Sequence, residues 1–109
     1  MDNKLAEKIR YNVLYDLYGA LLTEKQREYF EYYYAEDYSL AEIAELLGVS
    51  RNAVFDQLHI VTGYLDDYEE KLKLSQQKMI RADLVKQIKM RYPDDASLQS
   101  LVEKIEKSE

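Results

Sequence analysis

The sequence predicts an all-α fold of five to six helices, with a helix-turn-helix in the middle and a helical extension at the C-terminal end. Only three glycines and one proline interrupt the 109 residues, so long unbroken elements are expected. Apolar residues recur every three or four positions and do not alternate with polar ones over a strand's length, which indicates helices. We therefore expect a single domain over 1–109, with a helix-turn-helix core at about 23–65 and an extension at about 71–107.

The first helix is predicted to run from Asn3, a good N-cap, to Tyr18, where Gly19 can end it. Helical spacing gives it one apolar face. The expected members of that face are Leu5, Ile9, Val13, Leu17 and Tyr18.

A capping box begins the second helix, since Thr23 is followed three residues later by Gln26. This helix is expected to run through Tyr34 and to present three aromatic side chains to the core: Tyr29, Phe30 and Tyr33. Stacking on RNA bases is one interpretation of the tyrosine-rich stretch 29–38. Packing in the core and at its rim is favoured, because the carboxylates around it would repel a phosphate backbone.

The helix-turn-helix lies in the stretch SLAEIAELLGVSRNAVFDQL. Ser39 and Glu42 form a second capping box, which opens a short helix through Leu47. Gly48 allows a tight turn in which a Cβ would clash, and Ser50 caps the next helix. Small and branched side chains let the two helices cross closely and fill the angle between them; these are Ile43, Ala44, Val49, Val54 and Leu58.

The fourth helix has no clear stop signal, although Gly63 inside it costs about 1 kcal/mol relative to alanine. Its apolar seam continues in steps of three and four through Val54, Leu58, Val61, Leu65, Tyr68 and Leu72. So narrow a seam favours a partner helix, within one chain or across a homodimer.

The helical pattern resumes beyond Ser75 and ends near Tyr92-Pro93, where proline blocks continuation. Its apolar members are Ile80, Leu84, Val85 and Ile88. A last helix carries Leu98, Leu101, Val102 and Ile105 on one face.

Composition narrows the functional classes. The chain has no cysteine, no secretory leader pattern and no apolar run approaching the roughly 20 residues that span a bilayer. We expect a cytoplasmic protein without membrane insertion. One histidine and scattered serines assemble no catalytic group, and there is no glycine-rich phosphate loop. We therefore expect that the protein is not an enzyme and that it binds no cofactor and no metal.

Charge is divided unevenly along the chain. Residues 23–61 carry three basic and eight acidic side chains, whereas 71–91 carry seven basic and one acidic. We call this second stretch the basic segment; its cations are Lys71, Lys73, Lys78, Arg81, Lys86, Lys89 and Arg91. It is either a solvated helix face or a surface that tracks the phosphates of RNA.

A second nucleic-acid candidate is the start of the fourth helix. The residues that could read or approach DNA there are Ser50, Arg51, Asn52, Gln57 and His59. The alternative is that they are solvated polar residues at a helix start. No lysine or arginine lies between Arg51 and Lys71, so the helix lacks the phosphate partners that a groove-bound helix needs.

Three apolar residues of the fourth helix are displaced from its seam, namely Phe55, Ile60 and Tyr64. They either widen the buried face or form an exposed contact for a protein partner.

Residues 23–65 resemble region four of bacterial sigma factors. The chain from LYDLYGALLTEKQ through SRNAVFDQLHIVTGYLDDYEEKL resembles the YlxM family of small bacterial proteins. The first resemblance implies a helix-turn-helix of the winged-helix-type DNA-binding superfamily, without a wing. The second implies a helix-turn-helix protein that acts in or regulates the signal recognition particle pathway. The partners so implied are the particle's RNA, its protein component or both. A transcriptional regulator acting on duplex DNA is the alternative.

Overall fold

The computed structural model describes residues 3–109. Within this range the chain forms six α-helices and no strand. The helices are α1 (Asn3–Tyr18), α2 (Glu24–Phe30), α3 (Leu40–Leu47), α4 (Arg51–Leu72), α5 (Leu74–Arg91) and α6 (Ala96–Lys107). The predicted all-α fold is confirmed. The chain divides into two compact units, Met1–Ser75 and Gln76–Glu109, so the expectation of a single domain stays a prediction.

The buried side of α1 differs from the prediction. Leu5 and Ile9 are 55% and 57% exposed, whereas Leu14 and Tyr18 are 1% exposed. The tyrosines explain the difference, because Tyr11 and Tyr15 pack partly buried against the core and reach carboxylates with their hydroxyls. A helix can bury its tyrosine side when each phenol finds an acceptor.

The second helix begins with the predicted capping box of Thr23 and Gln26. It then continues as a π-helical segment, Glu31–Ala35. The wider turns move the buried position by one residue, so Tyr34 rather than Tyr33 is buried beside Tyr29 and Phe30. Phe30 stacks on Tyr34 with ring centroids 4.6 Å apart, as expected for a tyrosine cluster that packs in the core.

Helices α3 and α4 form the predicted helix-turn-helix. Ser39 and Glu42 make the second capping box, and Gly48 ends α3 with a φ of 69°. A Cβ at Gly48 would meet no atom within 4 Å, so the turn requires glycine for its left-handed backbone and not to relieve crowding. Helix α4 packs against α1, α2 and α3 through its buried seam of Val54, Leu58, Val61 and Leu65.

Helix α4 ends at a break that the sequence did not reveal. Lys73 adopts a left-handed φ of 56° and follows the last residue of α4. At this break the buried Tyr18 hydroxyl donates to Glu69 Oε1 at 2.7 Å and accepts from the Leu74 N–H at 3.0 Å. Glu69 Oε1 also accepts from the Ser75 N–H at 3.0 Å. Tyr18 and Glu69 therefore accept hydrogen bonds from two N–H groups in the first turn of α5, where N–H groups have no partner within the helix.

The unit Gln76–Glu109 is a helical hairpin held by two ion pairs. Arg81 contacts Glu109 at 2.6 Å and Lys89 contacts Glu106 at 2.9 Å. Val85 and Val102 are its buried apolar residues. Most of the other predicted apolar positions are exposed, namely Ile80, Leu84, Leu101 and Ile105.

Candidate nucleic-acid interface

The first turn of α4 is fixed by Ser50. Its hydroxyl accepts a hydrogen bond from the Ala53 N–H at 3.0 Å, and its backbone is extended as an N-cap requires. Ser50 thus positions the helix start, and its side chain is engaged in that role.

The outward side of α4 brings together part of the predicted set. Arg51, Asn52 and His59 are exposed there with Phe55 and Asp56. Gln57 is half-buried, and at 100° per residue it lies about 140° around the helix from Asn52. Over residues 51–59, the exposed face of α4 therefore carries one arginine, one amide and one histidine, beside the carboxylate of Asp56.

Phe55 belongs to a groove on one flank of α4. Its ring is 57% exposed and lies parallel to the His59 ring, with centroids 6.2 Å apart. The groove has a volume of about 250 Å³ and includes Lys4 of α1 and Tyr33 of the π-helical segment in its lining. Sequence spacing gave no signal for this groove, because its walls come from parts of the chain that are far apart.

Ile60 and Tyr64 lie on the other flank. Both are 45% exposed. Ile60 is about 140° around the helix from Phe55 but only about 40° from Tyr64. The three apolar candidates are therefore exposed on two separate surfaces.

Two of the three aspartates on α4 have partners in the protein itself. Asp66 accepts from Arg10 and from the Tyr11 hydroxyl, both at 2.7 Å. Burial and this hydrogen bond raise the pKa of Tyr11 to about 12. Asp67 pairs with Lys71 at 3.0 Å. The third aspartate, Asp56, makes no hydrogen bond or ion pair within residues 3–109.

The cations of the basic segment fall into two groups. Lys71, Arg81 and Lys89 are paired with Asp67, Glu109 and Glu106. The others make no ion pair within the described part of the chain; they are Lys73, Lys78, Lys86 and Arg91. Five acidic residues that follow α5 also dilute the charge, so Gln76–Glu109 carries seven basic and six acidic side chains.

No helix among residues 3–109 is both long enough and apolar enough to cross a membrane.

The chain is similar to a known family over nearly its whole length. A family model described as "Putative helix-turn-helix protein, YlxM / p13 like" matches residues 5–105. Proteins named "UPF0122 protein" from Streptococcus pneumoniae strains Hungary19A-6 and CGSP14, and from the serotype 19F strain G54, are each 50% identical over 94 residues. The alignment covers 86% of this chain and 86% of each relative.

Proposed function

The chain belongs to the UPF0122 family of YlxM/p13-like helix-turn-helix proteins, and from this we propose a non-enzymatic, nucleic-acid-binding accessory or regulatory protein of the signal recognition particle pathway, acting in the cytoplasm. Its nucleic-acid partner in this proposal is the RNA of that particle. The pathway rests on the resemblance to the YlxM family, and the contact surface rests on the distribution of unpaired cations.

The position of the unpaired cations favours RNA over duplex DNA as the partner. Four cations of the basic segment have no ion pair within residues 3–109, whereas residues 51–61 of α4 contain Arg51 as their one lysine or arginine. Phosphate contacts supply most of the affinity for a nucleic acid. Double-stranded RNA is bound mainly through its shape and phosphates, without a helix deep in a groove. Lys73, Lys78, Lys86 and Arg91 are therefore the proposed contacts.

A protein contact is a further part of the proposal. Ile60 and Tyr64 form one exposed apolar patch and Phe55 another. Either could receive a side chain of the particle's protein component, because exposed apolar patches are typical of interaction sites.

The test is a titration of the protein against labelled signal recognition particle RNA and against a duplex DNA of equal charge, followed by fluorescence anisotropy at two salt concentrations. The double variant Lys78→Glu/Lys86→Glu should lose at least tenfold in RNA affinity. The matched control Lys25→Glu/Arg27→Glu makes the same charge change on α2 and should lose much less. Equal losses in both variants would mean that overall charge, and not the basic segment, governs binding.

Duplex DNA is the second candidate, favoured by Arg51 and Asn52 in the exposed first turn of α4. These are side-chain types that read guanine and adenine edges. On a specific operator, Arg51→Ala and Asn52→Ala should each cost about 1–3 kcal/mol. Gln57→Ala should cost less, because Gln57 lies on another side of the helix.

A further inference from the structure

The hairpin of α5 and α6 exposes apolar residues that its own small core does not use. The unit Gln76–Glu109 buries Val85 and Val102, whereas Ile80, Leu84, Leu101 and Ile105 are between 46% and 55% exposed. Units shorter than about 40 residues usually need a disulfide, a metal or an oligomer to be stable. The chain has no cysteine, so association with another chain is a natural way for the hairpin to bury these apolar side chains.

These residues form a stripe on one side of the hairpin. At 100° per residue, Leu84 precedes Val85 by about 100° and Leu101 precedes Val102 by the same angle. The two helices are antiparallel, because Arg81 pairs with Glu109 whereas Lys89, later in α5, pairs with the earlier Glu106. In such an antiparallel pair, equal displacements of the same sense point to the same side. Leu84 and Leu101 therefore share one surface, with Ile80 and Ile105 beside them.

Charge indicates what covers this surface. Residues 76–91 carry five basic and one acidic side chain, whereas 94–109 carry two basic and five acidic. A two-fold axis parallel to the helices places α5 of one copy over α6 of the other, so opposite charges face each other. A perpendicular axis would place α5 over α5, with like charges facing, which is unfavourable.

We propose that the apolar stripe binds a second copy of the chain, so that two hairpins form an antiparallel four-helix bundle in which α5 packs on α6 of the partner. Two-fold interfaces are self-complementary, and four-helix bundles bury the apolar sides of their helices in a common core. Lys78 and Lys86 lie about 120° and 160° around α5 from Leu84, so the dimer leaves them accessible, whereas Arg91 lies about 20° from Leu84 at the end of α5, at the edge of the interface. The proposal does not depend on RNA binding.

Sedimentation equilibrium tests the assembly. The native protein should sediment at twice its chain mass of 12.9 kDa at micromolar concentration. Leu84→Arg/Leu101→Arg should sediment as a monomer. The control Met79→Arg/Met90→Arg should remain a dimer, because these side chains are 72% and 71% exposed and lie about 140° and 120° around α5 from Leu84. A monomeric native protein, or equal dissociation of both variants, would overturn the proposal.

Engineered thiols test the arrangement without disturbing the fold. Since the chain has no cysteine, a mixture of Leu84→Cys and Leu101→Cys chains contains one thiol per chain. Mild oxidation should give mainly the mixed disulfide between the two variants. Crosslinking of Leu84→Cys mainly to itself, or no crosslink at all, would contradict the pairing of α5 with α6.

Discussion

The Tyr18 hydroxyl connects three parts of the unit Met1–Ser75. It donates to Glu69 on α4 and accepts from the Leu74 N–H at the start of α5. Its side chain is 1% exposed, and burial together with the Glu69 hydrogen bond raises its pKa. The phenol gives the Leu74 N–H an acceptor within the protein, and it adds a hydrogen bond to a carboxylate that also accepts from the Ser75 N–H.

Removing that hydroxyl should destabilise the fold. Tyr18→Phe keeps the packed ring but removes one hydrogen bond from Glu69 and one from the Leu74 N–H. We therefore expect the free energy of unfolding to fall by about 1–2 kcal/mol. Urea denaturation followed by circular dichroism measures it. Tyr38→Phe is the control, since that hydroxyl makes no hydrogen bond within residues 3–109. A Tyr18→Phe midpoint no lower than that of the control would contradict this role.

Tyr11 and Tyr15 predict a loss of stability at alkaline pH. Burial, aided by hydrogen bonds to Asp66 and Glu31 respectively, raises the pKa of each phenol from 10.0 to about 12. A raised pKa means that the folded state favours the neutral phenol, so the stabilisation is complete below pH 10 and disappears between about pH 10 and 12. Phenolate absorbance should show these tyrosines ionising late, together with loss of helicity. Ionisation of all eleven tyrosines near pH 10 with intact helicity would refute the prediction.

At the scale of elements, glycine has opposite roles in α4 and in the turn before it. Gly63 lies within α4, and a Cβ there would meet no atom within 4 Å. Gly63→Ala should therefore raise the free energy of unfolding by about 0.5–1 kcal/mol, through helix propensity alone.

Gly48→Ala makes the same chemical change in equally open space but at a φ of 69°. It should lower the free energy of unfolding by roughly 1–2 kcal/mol because of backbone strain. Thermal melts of the two variants provide the comparison. A shift of both in the same direction would show that propensity and strain have been assigned wrongly.

Local sequence signals predicted the helices and their caps, whereas features that depend on contacts between distant residues were not predictable. The caps at Thr23 and Ser39 were predictable because donor and acceptor are three residues apart. The buried side of α1 was not, because it depends on where Glu31, Asp66 and Glu69 come to lie. The same limit applies to the candidate site. The shared face of Arg51, Asn52 and His59 follows from helical spacing, but the ion pairs of the basic segment with Glu106 and Glu109 do not.

The whole molecule has two units of different charge. Met1–Ser75 carries eight basic and fifteen acidic side chains, whereas Gln76–Glu109 carries a slight basic excess. The acidic unit weakens attraction to any polyanion at long range. The proposed binding to RNA would then depend on contacts at short range through the unpaired cations, so its dependence on salt would report how many of them touch phosphate.

This dependence gives a quantitative prediction for RNA binding. If Lys73, Lys78, Lys86 and Arg91 each neutralise one phosphate, the logarithm of the association constant should fall against the logarithm of the salt concentration with a slope of about −3 to −4. Each Ala substitution among the four should make the slope shallower by about one. Lys71→Ala should change it least, because Lys71 is already paired with Asp67. Anisotropy titrations over a series of salt concentrations measure these slopes. A slope near zero, or an equal effect of Lys71→Ala, would assign RNA binding to a surface other than these four cations.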